Sequence, residues 1–180
     1  TASGKYPVEA VATMASIAEQ AEKDKLRDND IAVPLSKDSN VTEFLAKSAI
    51  DATEKISVKG IITDSNTGRT ARYLAAFRGP NPVLAICYNE RLQRLLAMSY
   101  GVIPVYQHEH ISPQECFVAA LRMLRQKQYI CENDMIAYLS GSFGEGGGTT
   151  FLEINRVRDV FNKSYEFHLP DNGKKNNNNQ

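Results

Sequence analysis

Val83-Leu84-Ala85-Ile86-Cys87 runs five residues without a polar side chain. A strand with one wet face would put alternate members of that run in water. The run therefore suits a strand covered on both sides, as in a parallel sheet held between helix layers. Segments on either side keep the alternation going. Val58–Thr63, Val102–Val105 and Met135–Leu139 read as further strands, and Val41, Phe44, Leu45, Ala49 and Ala52 mark one face of a helix that Asn40 and Glu43 can open as a capping box. Leu74, Ala75 and Arg78 belong to a second helix, Leu92, Leu95 and Leu96 to one opened by Asn89 and closed by Gly101, and Phe117, Leu121 and Leu124 to one opened by Ser112-Pro113. A last strand, Thr150–Ile154, follows Met135–Leu139 through a loop with no helix in it, so those two are antiparallel. The pattern predicts an α/β protein: three αβα layers around a mostly parallel five-stranded sheet with right-handed crossovers and an antiparallel last strand.

The first strand leads into Ile61-Ile62-Thr63-Asp64-Ser65-Asn66-Thr67-Gly68-Arg69-Thr70-Ala71-Arg72, an apolar run that enters a hydroxyl- and glycine-rich turn and leaves as a helix. Backbone N–H groups and the positive end of the helix dipole face such a turn, and phosphate suits them. Ser and Thr also stand at such turns merely to satisfy the helix N–H groups, and Thr67 and Thr70 are placed to cap. What favours an anion is the company. Ser65, Thr67 and Thr70 crowd hydroxyls into the turn, and Arg69 and Arg72 sit at the end of a helix that disfavours cations unless an anion joins them.

Before the sheet, Pro7 fits a helix start, and Val8, Val11, Ala15, Ala18 and Ala21 keep helical spacing until a polar stretch from Glu22 to Asp30. Residues 28–40, with Pro34, read as a connector, and the Asn-rich end, Lys174 to Asn179, as a disordered tail. The chain of 180 residues balances 21 basic against 21 acidic side chains, which speaks against nucleic acid or an anionic membrane as partner. No apolar run approaches the roughly 20 residues that cross a bilayer. Cys87, Cys116 and Cys131 read as reduced, buried thiols of a cytoplasmic protein.

Three motifs fall short of chemistry. Around Ser142, Ser140 stands where a nucleophile elbow needs glycine, and the glycines from Gly144 to Gly148 put Thr149 where a dinucleotide fingerprint needs its last glycine. The glycine-rich loop from Gly141 to Gly148 is either a plain connection or a lid that orders over a ligand. His108-Glu109-His110 lacks a convincing third metal ligand.

Several of these stretches, in the same order, resemble the pyruvate kinase family. Thr1 to Val11 is similar to the start of the last helix of that family's catalytic barrel. Ser65-Asn66-Thr67-Gly68-Arg69-Thr70 resembles the effector phosphate loop of its C-terminal domain, most closely the trypanosomatid version, with serine there in place of Thr70. Phe77 to Val83, Tyr100 to Val105 and Gly148-Thr149-Thr150 are similar in place and order, so the resemblance runs from Thr1 to about Ile154.

The resemblance implies a last barrel helix at 1–27 cut from a longer chain, a connector at 28–40, a C-terminal regulatory domain at 41–157 and a tail at 158–180. It implies a phosphorylated effector, a sugar phosphate or a nucleotide, held between Ser65, Asn66, Thr67, Gly68, Arg69 and Thr70 on one side and Gly141, Ser142, Gly146, Gly147, Gly148 and Thr149 on the other. It also implies tetramer assembly through the Val41 helix and the last strand. The parent reaction, phosphoenolpyruvate and ADP to pyruvate and ATP, would use residues outside this chain, with Mg2+ and K+ there and no cofactor or catalytic residue here. Members activated by fructose 1,6-bisphosphate place an arginine near the position of Cys116, but no Lys or Arg lies between Ile111 and Leu121, and the glycine-rich loop carries Glu145. Weak or absent binding of that bisphosphate is expected. Fructose 2,6-bisphosphate, a monophosphate or loss of regulation are the alternatives for control. A standalone metabolite-binding module and a hydrolase using Ser142 are the alternatives for the chain.

Overall fold

The computed structural model describes residues 3–28, 40–108, 113–141 and 148–166. The chain falls into two compact units, Thr1–Pro34 and Leu35–Gln180. The first holds one helix, α1 (Pro7–Asp28), which starts at its proline and continues through the polar stretch where the sequence pattern had suggested an end. Its apolar side chains Val8, Val11, Met14 and Ile17 are exposed.

The second unit runs α2 (Val41–Lys55), β1 (Val58–Ser65), α3 (Arg69–Ala76), β2 (Val83–Cys87), α4 (Glu90–Leu96), β3 (Val102–Tyr106), α5 (Pro113–Gln126), β4 (Met135–Ser140), β5 (Phe151–Arg156) and α6 (Val157–Glu166). The sheet has the order β3-β2-β1-β4-β5. The first four strands are mutually parallel and β5 is antiparallel to β4, with Leu139 opposite Leu152. This is the expected α/β architecture. All five residues of β2 are buried, because the middle of the sheet is covered twice.

Side chains alternate across the sheet, so each strand feeds two cores. Ile62, Leu84, Ile86, Val105, Ile136 and Tyr138 join Phe117, Leu121 and Leu124 of α5 and Val157 and Val160 of α6. Ile61, Ala85, Ala137 and Leu139 turn the other way, toward α2, α3 and α4. Phe117 lies flat on Tyr138, ring centroids 3.7 Å apart, which fixes α5 over β4.

Two sequence expectations need correction. Residues from 158 were assigned to a tail, yet α6 buries Val157 and Val160 in the core, as an amphipathic helix too short to stand out by periodicity. On α2, Thr42, Ala46, Ala49, Ile50 and Thr53 face inward, while Val41 and Phe44 of the apolar stripe are 62% and 55% exposed. Cys131 is exposed in the turn before β4, unlike the buried Cys87 and Cys116.

Candidate functional site

The strand order reverses direction at β1. From there the chain moves outward through β2 to β3, then crosses back by way of α5 to β4 on the other side. The carboxyl ends of β1 and β4 thus part their connections and leave a crevice, where open α/β sheets place ligands. The glycine-rich loop and the strand-to-helix turn both end there.

Ser65 closes β1 at 2% exposure, and its hydroxyl has no hydrogen-bond partner among the described residues. A buried, unpaired hydroxyl is unfavourable by roughly 1–3 kcal/mol. Asn66 and Thr67 are exposed, and Gly68 follows with φ 77. A methyl on Gly68 would also come within 2.9 Å of Leu92 Cδ1 on α4, so only glycine fits on both counts.

Gly68 is the N-cap of α3, and no side chain caps the helix. The expectation that Thr67 or Thr70 would do so is corrected: a cap must sit in extended backbone just ahead of the helix, whereas left-handed Gly68 holds that place and Thr70 lies inside the first turn. The N–H groups at the start of α3 are left uncapped by side chains beside the unpaired Ser65 hydroxyl. Arg69 and Arg72 are exposed at this end, Arg69 lying 5.8 Å over the Tyr73 ring. Hydrogen bonds from the Asn40 amide and then Arg69 hold the Tyr73 phenol below its ordinary value.

Thr70 is buried and its hydroxyl lies 2.6 Å from that of Thr149. Thr149 N–H donates to Thr42 Oγ1 at 3.2 Å, and a methyl on Gly148 would press on the same oxygen. Asn40 caps α2, accepting from Glu43 N–H at 3.1 Å, and its amide reaches the Tyr73 hydroxyl on α3. The starts of α2 and α3 and the base of the glycine-rich loop are therefore one hydrogen-bonded assembly. Gly141 and Gly148 meet at the loop's neck so closely that a methyl on Gly141 would overlap the Gly148 carbonyl, while Thr150 N–H donates to Ser140 O at 2.9 Å. Of the sequence-derived loop residues, Gly141, Gly148 and Thr149 are thus brought to the turn. Ser142, Gly146 and Gly147 lie outside the described residues.

Sequence reasoning missed Asp64. It accepts hydrogen bonds from Tyr88 at 2.9 Å, Ser140 at 2.8 Å and Tyr138. Burial, with the Asp64 charge beside them, pushes both phenols well above their ordinary range, so they remain donors. An acidic residue inside an apolar run, one place before the hydroxyl-rich turn, was the available signal. Of His108-Glu109-His110 only His108 is described, edge-on to Tyr106. Among the described residues, no group of three or more His, Cys, Asp or Glu is placed to hold a metal.

Fold and turn together define an αβα domain with a helix start that no side chain caps at its topological switch point. Residues 43–155 match the family model described as pyruvate kinase, alpha/beta domain, and the chain belongs to the pyruvate kinase family. It is 38% identical over 164 residues to a pyruvate kinase of Borreliella burgdorferi, covering 89% of this chain and 34% of that protein. It is 30% identical over 165 residues to one of Bacillus licheniformis, covering 91% and 28%. The chain thus spans about a third or less of these relatives' length. The fold is similar, with a TM-score of 0.61 and 23% identity, to Cryptosporidium parvum pyruvate kinase in complex with ADP, over 68% of this chain and 25% of that one.

Proposed function

We propose that this chain serves as the regulatory and assembly part of a pyruvate kinase, binding a phosphorylated effector where β1 meets α3. One observation carries the reading: the Ser65 hydroxyl, buried and unpaired among the described residues, stands beside the side-chain-uncapped start of α3. A phosphate there accepts from both, and charge-assisted bonds of this kind are the strong ones. Arg69 and Arg72 lie within reach of its outer oxygens, and the Thr70–Thr149 pair ties the glycine-rich loop to the bound group.

On this reading the parent enzyme moves phosphate from phosphoenolpyruvate to ADP in the cytoplasm, its Mg2+ and K+ are held elsewhere, and this chain alone is inactive. Among the described residues no helix is long and apolar enough to cross a membrane. An effector acts through its difference in affinity for two states of the assembly, typically about 1–3 kcal/mol. Assembly is supported by exposed Val41 and Phe44 on α2 and by β5 at the edge of the sheet with Phe151 outward. An open strand edge invites pairing with a second copy.

Thermal melting with a panel of sugar phosphates and nucleotides tests the site. At about 100 times its dissociation constant a ligand stabilises the fold by roughly 2.7 kcal/mol, a shift of a few degrees. A phosphorylated ligand whose shift disappears in Ser65→Ala supports the site. A panel without any shift, or a shift indifferent to Ser65→Ala, overturns it.

A further inference from the structure

The glycine-rich loop leaves β4 at Ser140-Gly141 and returns through Gly148-Thr149-Thr150. Thr150 N–H donates to Ser140 O at 2.9 Å, and a methyl on Gly141 would overlap the Gly148 carbonyl, so the two sides of this neck touch. Those contacts close the neck without saying where it stands against β1. Backbone pairing of β1 with β4 runs only as far as Thr63 opposite Leu139, one residue short of Asp64 and Ser140.

Side chains carry the link further. On the α5 face of the sheet Ser140 Oγ donates to Asp64 Oδ2 at 2.8 Å. Tyr138, two residues back on the same face of β4, donates to the same carboxylate oxygen, and Tyr88, just past β2, donates to the other at 2.9 Å. Hydrogen bonds to a charged acceptor are the strong kind. With Tyr138 stacked on Phe117, the two phenols keep the carboxylate in place whether or not Ser140 is bound to it. On the opposite face the Thr149 hydroxyl meets that of Thr70, and Thr149 N–H donates to Thr42 Oγ1. The neck is thus gripped from both faces, by Asp64 and by Thr70, which stand at the two ends of one strand-to-helix turn.

We propose that Asp64 is a positioning residue for the glycine-rich loop. Acting through Ser140, its carboxylate holds the neck in register with the end of β1, so that Thr149 is presented to Thr70 before any ligand arrives. A neck set in advance lowers the ordering cost of binding. The assignment rests on hydrogen bonds of the ligand-free chain and stands apart from the effector-site reading.

Hydrogen exchange, read by NMR on the whole ligand-free chain, tests it. The Thr149 and Thr150 N–H groups report opening of the neck, and the amides of β2 report opening of the whole sheet. Ser140→Ala speeds exchange at Thr149 and Thr150 by about ten- to hundredfold, as the loss of a bond to a charged group implies, and leaves β2 unchanged. Asp64→Ala frees the neck as well, and the double variant frees it no more than Asp64→Ala alone, because both changes delete one bond. Tyr88→Phe takes a donor from the same carboxylate but none from the neck, and leaves the neck at the wild-type rates. Unchanged neck rates in Ser140→Ala overturn the inference, as does an equal rise in β2 or a neck freed as far by Tyr88→Phe. Effects that multiply in the double variant show Asp64 and Ser140 acting separately and overturn it too. Should Asp64→Ala not fold, Ser140→Ala against Tyr88→Phe decides by the same criteria.

Discussion

Replacing Ser65 by alanine should move stability and binding in opposite directions. In the ligand-free chain the hydroxyl is buried without a partner among the described residues, so deleting it removes an unfavourable term of about 1–3 kcal/mol. The space left is about one oxygen atom, and at roughly 24 cal/mol per Å3 a void of about 10–15 Å3 returns only some 0.3 kcal/mol. Ligand-free Ser65→Ala is therefore about 0.7–2.7 kcal/mol more stable, which for a chain of this size raises the melting temperature by several degrees. With phosphate bound, the same change deletes a hydrogen bond to a charged group, about 1.5–3 kcal/mol, or roughly a ten- to hundredfold loss of affinity. Urea unfolding without ligand and calorimetric titration with a phosphorylated sugar measure the two halves. A loss of more than about 1 kcal/mol in the ligand-free variant, against the sign expected for an unpaired hydroxyl, would refute the reasoning.

Thr70→Val and Thr149→Val should each destabilise by about 1–3 kcal/mol, and the double variant by little more than either, since removing both partners of a buried pair leaves nothing unsatisfied; additivity within about 0.5 kcal/mol in urea unfolding would rule out the 2.6 Å bond. Gly141→Ala forces the loop's neck open, and thermal melting should register a loss of several degrees together with loss of any ligand-induced shift. Phe44→Asp on the exposed face of α2 should leave the ligand-free melt unchanged and, by sedimentation, abolish self-association; an oligomer that survives removes this face from the interface. Burial raises the Cys87 thiol from 9.0 to about 11 and lifts the Tyr88 and Tyr138 phenols from 10.0, so the folded chain holds protons that the unfolded chain releases. Stability is therefore full below about pH 9 and falls as pH rises through the range above it, which urea midpoints between pH 7 and 10.5 would read; a flat profile contradicts the burial of all three.

The three layers of the fold were legible because each strand carries its own instructions. Val83–Cys87 has no polar residue to turn outward, and Leu139 and Phe151 are joined by too short a loop for a crossover helix. The strand-to-helix turn was legible for the same local reason, since the end of the apolar run, Gly68 and the helix start lie within one stretch of chain. What escaped was decided by distance in space. Thr70 looked like a helix cap because sequence shows only its neighbours along the chain, but its partner is Thr149, 79 residues away. Asp64 was passed over because its donors arrive from β2's end and from β4, and α6 because Val157 and Val160 become core only once α5 is in place. Local propensity and alternation thus determined the elements and their order, being properties of residues a few places apart. Which hydroxyl pairs, which stays unpaired and what faces the crevice were settled only by parallel strand pairing, which sets side by side residues the chain keeps far apart.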